Sequence, residues 1–129
     1  MVTRANILIK DAESEVLLYH HYDGYPEGVG NELLDMMSIA KKEQLQSPKA
    51  LAEFICQDER YEYEGEDATI APDIEFAYII NLTTKQMECL NVHIWGCAPF
   101  AKFILTNAVV HPCIRRRYPK MNIRGTKRY

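Results

Sequence analysis

The stretch Phe76-Ala77-Tyr78-Ile79-Ile80-Asn81-Leu82 decides the fold of this chain. It is apolar at nearly every position, whereas a strand at the edge of a sheet usually alternates apolar and polar residues. A continuous apolar run of this length is typical of a strand inside a sheet. We therefore predict that it forms a central strand, that the core is built on it, and that helices cover one face.

Two antiparallel hairpins are predicted from the strand patterns. The central strand turns at residues 83–85 and continues into residues 86–95, which also favour a strand. Near the N-terminus, residues 4–10 and 15–22 have strand-like periodicity, and the short polar connection between them has the length of a hairpin loop. We expect both hairpins to join one sheet.

Two helices are predicted between the hairpins. Asn31 is a candidate N-cap for the first helix, which we expect to end near Lys42 because cations suit the negative end of a helix. The second helix has a clearer start, since Ser47 can cap it and Pro48 is pre-set for the first helical position. It is expected to end near Gln57.

The fold class that follows is α+β, with two antiparallel β-hairpins in one sheet and two helices on one face. We predict a single domain over residues 1–113 and a basic C-terminal tail over residues 114–129. The apolar residues Phe100, Phe103 and Ile104 recur at helical spacing and predict a further short helix, although residues 104–110 would also suit a strand. A chain of 129 residues is long enough to bury one core without staples.

Composition indicates a folded soluble protein, with 47% hydrophobic and 26% charged residues. No apolar run approaches the roughly 20 residues of a membrane span, and no signal-peptide core follows Met1, so a cytoplasmic location without membrane contact is expected. Four cysteines lack C-x-x-C spacing and have apolar neighbours, which favours buried free thiols over disulfides or a metal site. They are Cys56, Cys89, Cys97 and Cys113.

The net charge of −3 hides a strong asymmetry along the chain. Residues 1–88 contain 7 basic and 18 acidic side chains, a net charge of −11, whereas residues 89–129 contain 8 basic side chains and no acidic one. The protein is therefore an acidic body with a basic tail. Such a tail can bind nucleic acid, dock on a partner, or neutralise the acidic body of the same chain or of a second copy.

The strongest concentration of chemical side chains is Tyr19-His20-His21-Tyr22-Asp23-Gly24-Tyr25-Pro26-Glu27-Gly28. In an extended strand His20 and His21 point to opposite faces, and His21 shares a side with Asp23. A histidine beside a carboxylate can act as a general acid or base, so His21, Asp23, Tyr25 and Glu27 are the catalytic candidates if the protein is an enzyme.

The same loop lacks the motifs that would define a reaction. It has no nucleophile motif, no phosphate-binding glycine signature and no spaced pair of metal ligands. Packing of histidine, tyrosine and aspartate at the end of a hairpin also commonly satisfies buried polar groups without any catalysis. We therefore expect no catalytic residue, no metal and no cofactor.

Residues 58–75 contain eight carboxylates and a single base, Arg60. A solvated acidic loop is one interpretation, and a surface that docks on a basic partner is the other. Tyrosines between the acids favour an interaction surface, because tyrosine offers rigid contact area. The candidate binding residues here are Tyr61, Glu62, Tyr63, Glu64, Glu66 and Asp67, and those of the tail are Arg115, Arg116, Arg117, Lys120, Arg124, Lys127 and Arg128.

Three segments, residues 3–7, 19–28 and 73–80, resemble a group of small uncharacterised proteins of bacteria and their phages. In that group an opening hairpin runs into a Tyr-x-His-x-Asp-Gly-Tyr-Pro-Glu-Gly loop, matched here by Tyr19, His21, Asp23, Gly24, Tyr25, Pro26, Glu27 and Gly28. The resemblance covers roughly residues 3–95 and carries no established chemistry. It implies a phage or mobile-element setting, in which small acidic proteins often bind and block a host factor.

The leading hypothesis is a non-enzymatic protein-binding module, specifically a phage-encoded inhibitor of a bacterial defence or other host protein. It would act by occlusion through its acidic segment and basic tail. One alternative is a small-ligand or nucleotide-binding protein, or a hydrolase, that uses the His21–Glu27 loop. The other is a nucleic-acid-binding protein that uses the tail, and self-association into a homo-oligomer is compatible with either charged region.

Overall fold

The computed structural model describes residues 2–92, 98–104 and 109–110, the last two ranges by their backbone alone. The described strands are β1 (Ala5–Lys10), β2 (Glu15–His20), β3 (Tyr61–Glu66), β4 (Phe76–Asn81), β5 (Gln86–Asn91), β6 (Ala98–Ile104) and β7 (Val109–Val110). The helices are α1 (Asn31–Ile39) and α2 (Pro48–Ile55), preceded respectively by a π-helical turn at Pro26–Gly30 and a 3-10 turn at Lys42–Leu45.

These strands form one mixed sheet in the order β3-β2-β1-β4-β5-β6-β7 over the described residues. Both predicted hairpins are confirmed as antiparallel pairs, β1 with β2 and β4 with β5. The hairpins meet where β1 and β4 run parallel, which requires the long intervening connection that the helices and β3 supply. As predicted, β4 lies in the middle of the sheet.

Both helices pack on one face of the sheet, as expected. Ile7, Leu18 and Tyr78 from the strands are fully buried there against Leu33 of α1 and Leu51 of α2. A smaller apolar cluster lies on the opposite face, where Ile74, Ala77, Leu90 and Val92 pack together. The larger core therefore holds the hairpins and helices in one α+β unit.

The helix ends follow the predictions in part. Ser47 Oγ accepts a hydrogen bond of 3.1 Å from the backbone N–H of Ala50, which confirms the predicted cap of α2. The N-cap of α1 is Gly30 instead of Asn31, because the helix continues directly from the π-helical turn and the Asn31 side chain donates to the Glu27 carbonyl at 2.9 Å. α1 also ends at Ile39, before the lysines.

The structure changes the interpretation of one segment and corrects the prediction for another. The acidic segment is not simply a loop, because its first half forms β3, which pairs antiparallel with β2. The residues around 100–104 belong to strand β6 instead of a helix, since pairing with β5 outweighs their helical spacing. Cys97, Cys113 and the predicted tail at 114–129 lie outside the described residues, whereas Cys56 and Cys89 are free thiols as expected.

Candidate functional site

The loop after β2 is anchored to the core by three backbone contacts. The N–H of Gly24 donates to the Thr3 carbonyl at 2.7 Å, and the Tyr78 hydroxyl donates to the Gly24 carbonyl at 2.7 Å. The N–H of Val29 donates to the Asp23 carbonyl at 2.9 Å. A Cβ at Gly28 would lie 2.3 Å from that same carbonyl oxygen, so the glycine is required by close packing. The motif therefore shapes the passage from β2 to α1.

The four catalytic candidates do not converge in one cluster. Tyr19 Oη lies 2.7 Å from His21 Nδ1, while the Tyr25 hydroxyl donates to Asp23 Oδ1 at 3.0 Å and so raises the pKa of Tyr25. These are two separate pairs, and His21, Asp23, Tyr25 and Glu27 all lie exposed at the surface. The part of the chain that the structure describes contains no group of three or more residues able to hold a metal ion.

A polar cluster around His20 lies beneath β3. The ring of His20 is buried and packs against the ring of Tyr61, with 4.5 Å between centroids. Neither ring nitrogen of His20 makes a hydrogen bond of normal geometry among the described residues. The nearby backbone of Tyr22 favours the protonated ring and so acts to raise the pKa of His20. Burial lowers the pKa of His20, because desolvation disfavours its charged form.

Arg60 joins the start of β3 to the first turn of α1. Its two terminal nitrogens each lie 3.2 Å from a carboxylate oxygen of Glu32, and its Nη2 lies 2.6 Å from Asp58 Oδ2. The hydrogen bond to Asp58 is the main reason that the pKa of Arg60 is raised. Arg60 is the single base among residues 58–75 and is already paired with two carboxylates. Asp73 and Glu75 pair with Arg4 instead, and Glu62, Glu64 and Glu66 of β3 form no salt bridge among the described residues.

The strand β3 forms one edge of the sheet, with β2 as its neighbour within the described residues. Tyr61 and Tyr63 pair with His20 and Leu18, so both tyrosines lie on the helix-bearing face. Tyr61 is buried there, but 49% of Tyr63 is exposed. Among the acidic candidates of this strand, all are exposed: Glu62, Glu64 and Glu66.

Backbone groups of β3 point to the open side of the sheet. The N–H of Tyr61 donates to the Asp58 carbonyl at 3.0 Å. Because backbone donors along a strand point alternately to its two sides, the N–H and C=O of Tyr63 are directed away from β2 as well. The register then shifts, because Leu17 and Leu18 of β2 pair with Gly65 and Tyr63 and leave Glu64 as the extra residue of a β-bulge in β3. This bulge and the positive φ of 125° at Gly65 change the course of β3.

Two cavities flank the edge strand, one on each face of the sheet. The cavity on the helix-bearing face has a volume of about 260 Å³ and is lined by Lys49, Ala52, Glu53, Cys56 and Tyr63. The other has a volume of about 350 Å³ and includes Arg4, Asn6, Tyr19, Glu64 and Asp73 in its lining.

The side chains of Asn6, Arg4 and Asp73 in the larger cavity already have partners. Asn6 Nδ2 donates to the Leu18 carbonyl at 3.0 Å, and its Oδ1 accepts from the Ala71 N–H at 2.9 Å. Arg4 lies 3.3 Å from a carboxylate oxygen of Asp73. Hydrogen bonding of these groups within the protein leaves them little free capacity for a polar ligand.

Comparisons with protein families, with curated proteins and with solved structures find no match for this chain. The similarity to small bacterial and phage proteins therefore stays a prediction. Neither described helix is long and apolar enough to cross a membrane, since α1 has 9 residues and α2 has 8.

The structure thus brings some predicted site residues together and separates others. Glu62, Tyr63, Glu64 and Glu66 line one sheet edge, with Asp67 directly after it, whereas the seven basic residues of the tail lie outside the described residues. The burial of His20 had a sequence signal, because it shares its face of β2 with Val16 and Leu18. The pairing of Glu32 with Arg60 had none, since the two residues are distant in sequence.

Proposed function

We propose that this protein is a non-enzymatic protein-binding module, and that its acidic edge strand β3 binds an extended basic segment of a partner. The observation that carries the proposal is that β3 forms an edge of the sheet over the described residues and exposes Glu62, Tyr63, Glu64 and Glu66. An extended segment that adds to a sheet edge gains main-chain hydrogen bonds from the strand, and its side chains provide the specificity.

Charge selects the partner. Glutamates at neighbouring positions attract a strand that carries lysine or arginine, and they oppose pairing between the β3 edges of two copies. Because Arg60 is already paired with Glu32 and Asp58, it does not offset these glutamates. The charge of −11 on residues 1–88 also steers a basic partner toward this surface at low ionic strength.

Occlusion is the proposed mode of action. A segment held in strand form against β3 has the backbone groups on one of its sides bonded to β3, and its side chains are held in the complex, so it is no longer free to engage its own target. The predicted resemblance to small phage and bacterial proteins is the reason to propose a host protein as that partner. The basic tail would add contacts to the same partner, and its role as a nucleic-acid-binding element stays the alternative for that segment.

The His21–Glu27 loop supports an enzyme less well. Its candidate groups form two exposed pairs, and general acid–base catalysis works best where a histidine and its carboxylate partner are positioned together and shielded from water. The glycines and the backbone contacts of the loop also have a sufficient structural role in joining β2 to α1.

A pull-down from bacterial lysate, performed with and without nuclease, tests the proposal. The full chain is compared with Glu62→Lys/Glu64→Lys and with the charge-matched control Glu13→Lys/Glu43→Lys, whose side chains are exposed outside β3. We expect a stoichiometric protein that the wild type and the control retain and the β3 variant loses. Retention by the β3 variant, or capture of nuclease-sensitive material alone, would contradict it. Circular dichroism confirms that each variant is folded.

A further inference from the structure

The cavity of about 260 Å³ beside β3 lies where an added strand would place a side chain. Tyr63 contributes its wall from the edge strand, and Ala52 and Cys56 contribute from α2. The lining is predominantly apolar and the cavity is open to the surface. Apolar surface of this kind, next to the outward-directed backbone groups of Tyr63, combines the two requirements for recognising an extended peptide.

We infer that this cavity is the specificity pocket of the β3 edge, and that it accepts one large apolar side chain flanked by basic residues in the partner. This inference rests on the proposed function, since it names the segment that β3 would bind. The recognised pattern is basic, apolar, basic at three consecutive positions of an extended strand.

Strand geometry supplies the pattern. A residue placed opposite Tyr63 in an added strand has its side chain on the same face as Tyr63, where the cavity lies. Its two neighbours project to the other face, opposite Glu62 and Glu64. Glu62 pairs with Tyr19 of β2 and Glu64 lines the cavity on that other face, which places both acids away from the helices. Lysine or arginine at those two positions of the added strand is therefore complementary in charge to Glu62 and Glu64.

Size and chemistry select the apolar residue. Pockets for complete small-molecule ligands usually measure roughly 300–1,000 Å³, so a cavity of about 260 Å³ suits a single large side chain better. Burial raises the pKa of the Cys56 thiol and keeps it neutral, and its polarisable sulfur favours leucine, methionine or an aromatic ring. Lys49 and Glu53 are one helical turn apart with opposite charges, so they do not impose a net charge on the pocket.

Defined peptides test the inference on the full chain. The probes are nine-residue threonine-rich peptides with Lys-Leu-Lys, Lys-Ala-Lys or Glu-Leu-Glu at the centre, and the readout is the Kd from isothermal titration calorimetry. We expect Lys-Leu-Lys to bind about tenfold more tightly than Lys-Ala-Lys, because a buried leucine removes more apolar surface from water. The Glu-Leu-Glu peptide is expected not to bind.

Two variants test whether the preference for leucine arises in this cavity. Cys56→Phe fills the pocket and should remove the preference for leucine over alanine, with little change in the Kd of Lys-Ala-Lys. If Cys56→Phe does not fold, Tyr63→Ala serves instead, because Tyr63 is half-exposed and its loss opens the pocket wall. Chemical-shift changes at the amides of residues 49–56, seen with the leucine peptide and not with the alanine peptide, place the side chain in the cavity.

The outcomes separate the pocket from the proposed function. Equal affinity for Lys-Leu-Lys and Lys-Ala-Lys would show that the cavity is not a specificity pocket, and the proposal that β3 binds a basic strand would still stand. A preference for leucine that persists in Cys56→Phe or Tyr63→Ala would likewise show that the cavity does not bind the leucine side chain. If neither basic peptide binds, or if Glu-Leu-Glu binds as tightly, the acidic edge does not select a basic strand and both conclusions fall.

Discussion

The Tyr61 hydroxyl donates a hydrogen bond of 2.7 Å to Glu32 Oε1 and thereby ties the start of the acidic edge strand to the first turn of α1. Glu32 accepts from Arg60 at the same time, so one carboxylate organises both residues. Because Tyr61 is buried against His20, this contact anchors β3 from beneath and leaves its outer side chains free to face solvent.

Removing that hydroxyl should destabilise the domain. We expect Tyr61→Phe to lower the free energy of unfolding by about 1–2 kcal/mol, because a largely buried hydrogen bond to a charged acceptor is lost. The measurement is urea unfolding followed by circular dichroism. Tyr22→Phe is the matched control, since Tyr22 is 61% exposed, and it should change stability by less than about 0.5 kcal/mol. Equal effects of the two substitutions would show that the Glu32 contact is not stabilising.

Acid should weaken the fold through His20. Burial lowers the pKa of His20 below its ordinary value of 6.5, so below that pH the unfolded chain binds a proton that the folded chain excludes. Stability therefore falls as the pH drops below 6.5, with a slope from this group of at most about 1.4 kcal/mol per pH unit. The negative charges of Glu32 and Asp58 act to raise the pKa of His20, whereas the positive charge of Arg60 lowers it further.

The measurement is the free energy of unfolding of the wild type and of His20→Phe between pH 7 and pH 5. We expect a flatter dependence in the variant, because phenylalanine keeps a ring against Tyr61 but does not titrate. His21→Phe, at an exposed position, is the control and should retain the slope of the wild type. A slope unchanged in His20→Phe would contradict a depressed pKa at this histidine.

The loop glycines should differ sharply in their tolerance of alanine. A Cβ at Gly28 would lie 2.3 Å from the Asp23 carbonyl oxygen, and relief of that overlap requires backbone movement. We expect Gly28→Ala to cost about 2 kcal/mol or more. At Gly30 the nearest atom is 3.4 Å away and the backbone is helical, so Gly30→Ala should stay within about 1 kcal/mol of the wild type. Thermal unfolding of both variants measures the difference, and similar melting temperatures would refute the steric role of Gly28.

Salt should weaken partner binding mainly through the association rate. Exposed glutamates attract a basic segment at long range, and that attraction is screened once the Debye length falls to about 10 Å or less near 0.1 M salt. We expect the association rate of the Lys-Leu-Lys peptide to fall several-fold between 25 mM and 300 mM NaCl. Stopped-flow fluorescence measures it, and a rate insensitive to salt in the wild type would exclude charge steering by β3.

Much of the fold could be predicted because its signals are local. The apolar run of β4 indicated a central strand, and Ser47 with Pro48 indicated the start of α2. β3 could not be predicted in the same way, because four of its six residues are exposed and its strand form depends on pairing with β2. The helix predicted from the spacing of residues 100–104 is wrong for a similar reason, since pairing with β5 decides the conformation of this segment.

His21 and Asp23 do not form a pair, for a reason that lies in the backbone. The prediction that His21 and Asp23 share a side assumed that the extended chain continues, whereas Asp23 adopts a left-handed conformation with φ of 54°. That turn directs Asp23 to Tyr25 and leaves His21 with Tyr19. A single residue outside the extended region is enough to separate two side chains that alternation would place together.

The sequence by itself determined the two hairpins, the central place of β4, the cap of α2 and the charge asymmetry, because each follows from neighbouring residues or from simple counts. Only the tertiary structure decided that the acidic segment becomes an edge strand, that Glu32 pairs with Arg60 and Tyr61, and that a cavity opens between α2 and Tyr63. Those features depend on which elements meet in space, and contacts between residues distant in sequence leave no periodic trace in the chain.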